Sequence, residues 1–358
     1  MQKIIKQFPV LSQYTYLNTA TSGLLYDGLL EWRQEHDLDF LIGGSQMKMS
    51  SHILLDDTRN SIGDFFGCPK ENVALVPNFS MGLNLLLEGI GRERNVLLLK
   101  GDYPSVNWPF ESRGCKVDYA EINENLEENI YNKIKTGHFD ILALSLVQWL
   151  NGIKIDLEFL RQLKEEFPNL IIIADGTQYL GTENFNFKES GIDVLAASSY
   201  KWLLGGYGNG FMMFGVGMED KFTPLSSGFN AVQGKLEDKE RISFAKRFEP
   251  GHLDTLNFGS LKYSLGFLSD IGMERIGDKI GKLTHKAKES LEGLGVLEEA
   301  VVSRKDHSSI FNIKGGKEMY DKLMRQNVIC ALRGSGIRLS FHFYNTENEI
   351  DKIVGILK

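Results

Sequence analysis

A carboxylate, an amine and a hydroxyl each follow an apolar run in this sequence, at places from which they could act on one ligand. Asp175 closes the run LIIIA and is followed by Gly176, Thr177 and Gln178, so a carboxylate and an amide emerge one short turn apart. A carboxylate there would keep a heteroaromatic ring nitrogen protonated and strengthen the ring as an electron sink, while Gln178 could reach a ring hydroxyl. Lys201 lies in AASSYKWLLGG, pinned after another apolar run, with Ser198, Ser199 and aromatic rings beside it. Partial burial depresses an ammonium pKa, and the free amine is the form that condenses with an aldehyde. The stretch Asn78-Phe79-Ser80-Met81-Gly82 separates ALVP from a helical segment. Free backbone N–H groups and the positive end of a helix suit a phosphate there, with the Ser80 hydroxyl as a further donor. Each feature alone has a plainer reading: Asp175 as a loop cap, Lys201 as a surface lysine, Ser80 as an N-cap. Their company, and the interval between Asp175 and Lys201, favours the chemical reading.

These residues need a scaffold, and the apolar runs describe one. ALVP at 74–77, NVLLLK at 95–100, ILALSLV at 141–147, LIIIA at 170–174, DVLAA at 193–197 and FMMF at 211–214 read as buried strands. Helix punctuation lies between them: Asp156 caps LEFLRQLKEEF, which Pro168 stops, and Ser80 precedes MGLNLLLEGI. Such alternation predicts an α/β fold with a largely parallel sheet, and ligands bind such sheets at strand ends. After about residue 215 the rhythm changes to a glycine-, serine- and charge-rich loop, a long helical region and then strand-like pieces. Thr346 and Glu349 form a capping-box pattern that opens a final helix. The expected division is a large domain over 15–250 and a smaller α+β domain over 251–358, with residues 1–14 packed on the latter.

Composition narrows the classes of function. The 358 residues are 42% hydrophobic and 24% charged, enough for a large core and a soluble enzyme. A formal charge of −7 argues against nucleic acid or an anionic membrane as partner. No run approaches the length of a membrane span and the opening segment lacks a cleavage site, so a cytoplasmic protein is expected. Cys68, Cys115 and Cys330 are widely spaced with no clustered histidines, which predicts reduced thiols and no metal site. GGYGNG matches neither GxGxxG nor GxxxxGK[ST], so a dinucleotide or P-loop site is not expected; a tight reversal behind Lys201 is.

Taken in order, IADGTQYLG and DVLAASSYKWLLGGYGNGFMMF resemble the ADxxQ and S-x-H-K signatures of class V aminotransferases, fold-type I enzymes that use pyridoxal 5'-phosphate. The resemblance covers nearly the whole chain. It implies a sheet of seven-stranded type between helices, with Lys201 as the lysine that carries the cofactor and Asp175 on the pyridine nitrogen. Gln178 is implied near the ring hydroxyl, and Ser80, Met81, Ser198 and Tyr200 around the phosphate. Tyr200 stands where that family often has histidine. Tyr103, in GDYPSVNWPF, matches the position whose ring stacks on the cofactor. In SLVQWLNGIKIDL, Gln148 or Trp149 falls where a side chain touches the ring or the substrate. ALRGSGIRLSFHFYNTENEID looks like the segment that supplies a carboxylate-binding arginine, which makes Arg338 the implied clamp and Arg333 a second candidate. RFEPGHLDTLNFGSL resembles a segment that reaches the partner's phosphate across a homodimer, with His252 where threonine is common.

The expected reaction is transamination of an amino-acid-type substrate, in which Lys201 moves the substrate's α-proton and Arg338 holds its carboxylate. Desulfuration, selenocysteine cleavage or epimerisation is the alternative on the same fold. A desulfurase needs a mobile cysteine ahead of the arginine, and Cys330, directly after the apolar NVI, reads as a packed thiol. A protein that binds the cofactor without turnover is a third, weaker possibility.

Overall fold

The six apolar runs are strands, and a seventh joins them in one sheet. The computed structural model describes residues 2–232 and 242–358. In chain order its strands are β1 (Thr15–Tyr16), β2 (Val73–Val76), β3 (Asn95–Leu99), β4 (Lys116–Ala120), β5 (Ile141–Ser145), β6 (Ile171–Asp175), β7 (Val194–Ser198) and β8 (Gly210–Phe214). They continue with β9 (Ile310–Lys314), β10 (Val328–Ile329), β11 (Ala331–Arg333) and β12 (Gly336–Ser340). The main sheet has the order β2-β8-β7-β6-β5-β3-β4. Strands β7, β6, β5, β3 and β4 pair in parallel, and β8 runs against both of its neighbours, β7 and β2. The carboxyl ends of β2, β3, β5, β6 and β7 therefore share one edge.

Successive residues of these strands enter two separate cores. Leu97, Leu142, Ile172 and Leu195 pack on one face, and Val96, Ile141, Ile173 and Val194 on the other. A sheet covered on both faces reads as continuous apolar runs, which is why six of these seven strands were legible without any alternation. The edge strand β4 was not anticipated: in KVDYA the exposed Lys116 and Asp118 alternate with the partly covered Val117 and Tyr119, and only Ala120 is buried.

Helix punctuation agrees with the sequence at most ends. Asp156 accepts a hydrogen bond from the Glu158 N–H at 2.9 Å and opens Leu157–Glu166. The capping box of Thr346 and Glu349 opens Glu347–Leu357. Ser80 is a correction. The helix is Phe79–Leu86, Asn78 is its N-cap through a bond from the Met81 N–H, and Ser80 sits inside the first turn. The long helical region is two helices, Thr255–Ile271 and Met273–Gly293, broken at Gly272 with φ +89°.

Residues 310–340 form a three-stranded antiparallel sheet, β11-β12-β9. The beginning of the chain is tied to this part: β1 pairs in parallel with β10, and Asn18 bridges to Ser340. The following residues then cross the main sheet's edge, where the Gly23 N–H donates to the Tyr200 carbonyl at 2.7 Å. A Cβ at Gly23 would lie 2.0 Å from the Lys201 carbonyl oxygen, so only glycine allows this approach.

Candidate active site

A cavity of about 430 Å³ opens at the shared strand edge, and most of the residues expected to act together line it: Ser80, Met81, Tyr103, Trp149, Asp175, Gln178, Ser198, Tyr200 and Lys201. The positions follow from topology. Asp175 ends β6, Ser198 ends β7 with Lys201 in the turn beyond, and Asn78 and Ser80 follow β2. Open α/β sheets place ligands at such ends.

Burial sets the electrostatics. Lys201 is 8% exposed and its ammonium is pushed well below the ordinary lysine range, chiefly by desolvation, with Arg338 and Arg333 adding to the shift and Asp175 opposing it. Burial likewise pushes the Asp175 carboxyl up, against the pull of the Thr177 hydrogen bonds and of the Lys201 charge. Asp175 accepts from the Thr177 N–H at 2.8 Å, and Thr177 Oγ1 in turn accepts from the Ser198 N–H at 3.0 Å, locking β6 to β7. Lys201 Nζ lies 5.9 Å from the Tyr103 ring centroid and 5.5 Å from that of Tyr200. Among the described residues no hydrogen-bond acceptor meets it, so the amine is held but not spent.

The helix start likewise keeps a donor free. Ser198 Oγ takes the Phe79 N–H at 2.9 Å, and Asn78 takes that of Met81. No acceptor among the described residues meets the Ser80 N–H. Gly208, at φ +86°, closes the same corner, beside Tyr200 and Tyr207 stacked 4.6 Å apart.

Other residues are placed differently from the expectation. Gln178 lines the cavity, but its amide donates to the Ala20 carbonyl at 2.9 Å and accepts from Trp202 Nε1 at 2.8 Å, which ties it to the crossing segment. Of the pair Gln148 and Trp149, only Trp149 lines the cavity, edge-on to Tyr103 at 5.8 Å. Gln148 faces away: its Nε2 donates to the Gly101 carbonyl and its Oε1 accepts from Leu150 and Asn151. Arg338 is 3% exposed, with Nη1 donating to the Trp149 carbonyl at 2.7 Å and Nη2 to Thr21 Oγ1 at 2.6 Å. Its Nε is buried without a partner. Arg333 is exposed on β11 and donates only to a neighbouring carbonyl. His252 is exposed beside Phe229, 6.4 Å between rings, away from this cavity. Cys330 is buried and its thiol is pushed up to about 12 by desolvation; none of the three cysteines lines the cavity.

Two contributors escaped the sequence reading. Asp102 is buried beyond β3, where it accepts from the Tyr103 and Ser145 N–H groups at 2.7 Å each and so fixes the Tyr103 ring against the end of β5. It follows NVLLLKG as Asp175 follows LIIIA, and the same strand-end signal could have found it. Thr21 reaches Arg338 from 317 residues away, and no local pattern announces that.

The arrangement suits a phosphorylated pyridine aldehyde: a free buried amine, a carboxylate facing it across the cavity, an aromatic wall and an unfilled helix start. Comparison with known proteins gives the same answer. The sequence profile of the family described as aminotransferase class-V matches residues 39–353. An uncharacterized aminotransferase, YcbU, of Bacillus subtilis is 23% identical over 96% of this chain and 93% of its own length. A probable cysteine desulfurase of Pyrococcus abyssi is also 23% identical, over 100% of this chain and 96% of its own. The solved structure of a C-DES mutant with glycine covalently linked to the PLP cofactor superposes with a TM-score of 0.88 at 18% identity, covering 98% of each chain. The chain belongs to the class-V aminotransferase family.

Proposed function

We propose that this protein is a pyridoxal-phosphate-dependent aminotransferase of an α-amino acid. The observation that carries the reading is one cavity that holds the unspent Lys201 amine, Asp175 and the open helix start at Ser80, with no thiol in its lining. Pyridoxal phosphate, when bound, supplies an aldehyde for covalent attachment and a ring that draws electrons from the substrate's α-carbon. Lys201 Nζ is the attaching amine and, once displaced, the base that carries the α-proton, a role its depressed pKa suits. The Asp175 carboxylate keeps the ring nitrogen protonated. Ser80, Met81 and Ser198 at the helix start hold the phosphate, Tyr200 borders it, Tyr103 covers a ring face, and Gln178 keeps one amide hydrogen for the ring hydroxyl. Arg338, buried behind the cavity lining but still cationic, supplies the positive charge for the substrate carboxylate, and Trp149, whose carbonyl it holds, walls that side.

Sulfur transfer to a cysteine of the protein is disfavoured, because Cys330 is buried and its thiol is raised, Cys68 likewise, and Cys115 lies elsewhere. Elimination and epimerisation need no such thiol and stay as alternatives.

We further infer that the units 15–250 and 251–358 are the large and small domains, and that the protein works in the cytoplasm as a homodimer. Three free thiols support the compartment, and no described helix is long and apolar enough to cross a membrane. Exposed Met81 and Tyr207 at the cavity mouth, with Trp108 and Phe229 exposed elsewhere, support a second copy on this side, with His252 of each chain approaching the other's phosphate. Sedimentation should then give about twice 40.4 kDa.

The deciding experiment is the visible spectrum of the cofactor-loaded protein, recorded before and after each of a panel of amino acids that includes L-cysteine. Conversion to the pyridoxamine spectrum with release of an oxo acid supports transamination. Return of the starting spectrum with pyruvate and sulfide, or with inverted substrate, moves the reading to elimination or epimerisation. Absence of any visible band refutes the cofactor.

A further inference from the structure

A second cavity, of about 260 Å³, lies behind the first and has a different character. Val147 lines both, so one wall is common. That wall is a hairpin: Val147 bridges to Lys154, and the Gln148 N–H donates to the Ile153 carbonyl at 2.8 Å. The opposite wall is one face of the helix Met273–Gly293, presenting Gly277, Gly281, Thr284 and Lys288 at helical spacing, and the loop 305–309 closes the side.

Three observations distinguish this space from a surface crevice. The first is charge. Glu183 and Asp306 both pair with Lys154, at 2.9 and 2.8 Å. Lys288 and Lys305 meet no carboxylate among the described residues, and Lys288 Nζ caps only the Arg304 carbonyl. The cavity is therefore positive in a chain of net charge −7, and a concave positive site concentrates anions. The second is an unspent donor. Ser309, 3% exposed, lines the cavity with its hydroxyl buried and unpartnered, and buried polar groups without partners are few in folded proteins. His307 beside it is held neutral, its pKa lowered to about 4 by burial, with Nδ1 donating to the Ser308 carbonyl and Nε2 making no hydrogen bond. The third is Gly281. A glycine in mid-helix weakens the helix, yet a Cβ here would meet nothing within 4 Å, so no protein contact requires it; its effect is to keep the cavity open.

We propose that this cavity is a second binding site, for a small oxyanion of the carboxylate or phosphate class, held by Lys288, Lys305 and the Ser309 hydroxyl. It is separate from the first cavity, and the assignment does not depend on the reaction proposed there.

Calorimetric titration of the cofactor-loaded protein with sodium succinate and, separately, inorganic phosphate tests the assignment. Loading keeps the helix start at Ser80 occupied. At least one probe should bind saturably, and Gly281→Met, which fills the space, and Lys305→Glu, which reverses an exposed charge at its mouth, should each weaken binding tenfold or more. The visible cofactor band and the melting temperature should stay unchanged in Lys305→Glu. Succinate alone binding gives the carboxylate class, and phosphate alone the phosphate class. No saturable heat with either probe, or equal binding by both variants and the parent, overturns the proposal. Failure of the cofactor to load would appear as a missing band and would count against the reading of the first cavity, not against this site, since neither Gly281 nor Lys305 lines the first cavity.

Discussion

Two buried clusters of charge in this chain are built on opposite plans. Around Glu249, which is fully buried, every valence is used: Arg59 Nε donates to Oε1 at 3.1 Å while Nη2 meets Oε2, Lys246 Nζ donates at 2.8 Å, and the Leu75 N–H adds 2.9 Å. Around Lys201 and Arg338 valences are left over, since among the described residues the amine has no acceptor and Nε of the guanidinium has no partner. Unmatched buried groups cost stability, and a fold keeps them where a guest supplies the match. The first cluster fastens β2 to the segment before the helix Thr255–Ile271; the second waits for a ligand. The difference separates structural from functional charge better than burial does, because both clusters are equally dry.

Substitutions can break that distinction. Lys201→Ala should abolish covalent attachment and with it the visible band, and should lower turnover by about 10²–10⁴-fold from loss of proton transfer alone. The fold should be intact by circular dichroism, and an unchanged band would refute the assignment. Glu249→Ala should do the reverse, with about 3–5 kcal/mol lost in denaturant unfolding because Arg59 and Lys246 are stranded; a stable Glu249→Ala protein would erase the contrast. Arg338→Ala should cost about 2–5 kcal/mol in kcat/KM, mostly through KM, with little change in unfolding. The pH dependence sharpens the comparison further. Lys201 has a lowered pKa when folded, so between that value and about 10.4 the unfolded chain binds the extra proton. The cofactor-free protein should therefore gain stability relative to Lys201→Met as pH rises through this window, and parallel melting curves would show the amine to be ordinary. The smallest effect belongs to Cys330→Ala, which should leave turnover of every substrate, L-cysteine included, unchanged; a collapse in sulfide release would restore the desulfurase reading.

The legible part of the molecule was the part in which one residue's neighbours in sequence are also its neighbours in space. Asp175 and Lys201 each follow an apolar run by at most a few residues, and the sheet does the rest. The sequence left Gln148 and Trp149 as alternatives, because the hairpin turns at that point and sends Gln148 to the loop at Gly101 and Trp149 to the cavity. Strand β4 hid because an edge strand needs only partial cover. Thr21 and Gly23 were invisible because their partners, Arg338 and Lys201, lie hundreds of residues ahead, and a glycine in a loop does not say what passes over it.

That crossing also sets a timetable. Residues 15–18 are made long before the partners they pair with, which lie hundreds of residues later in β10 and at Ser340. The main sheet can be assembled while synthesis continues, since its strands fall between 73 and 214. Residues 15–18 must wait until β10 and Ser340 are available, so the segment leading into the Gly23 crossing is fastened after the main sheet. A newborn chain thus acquires its architecture well before it acquires its chemistry.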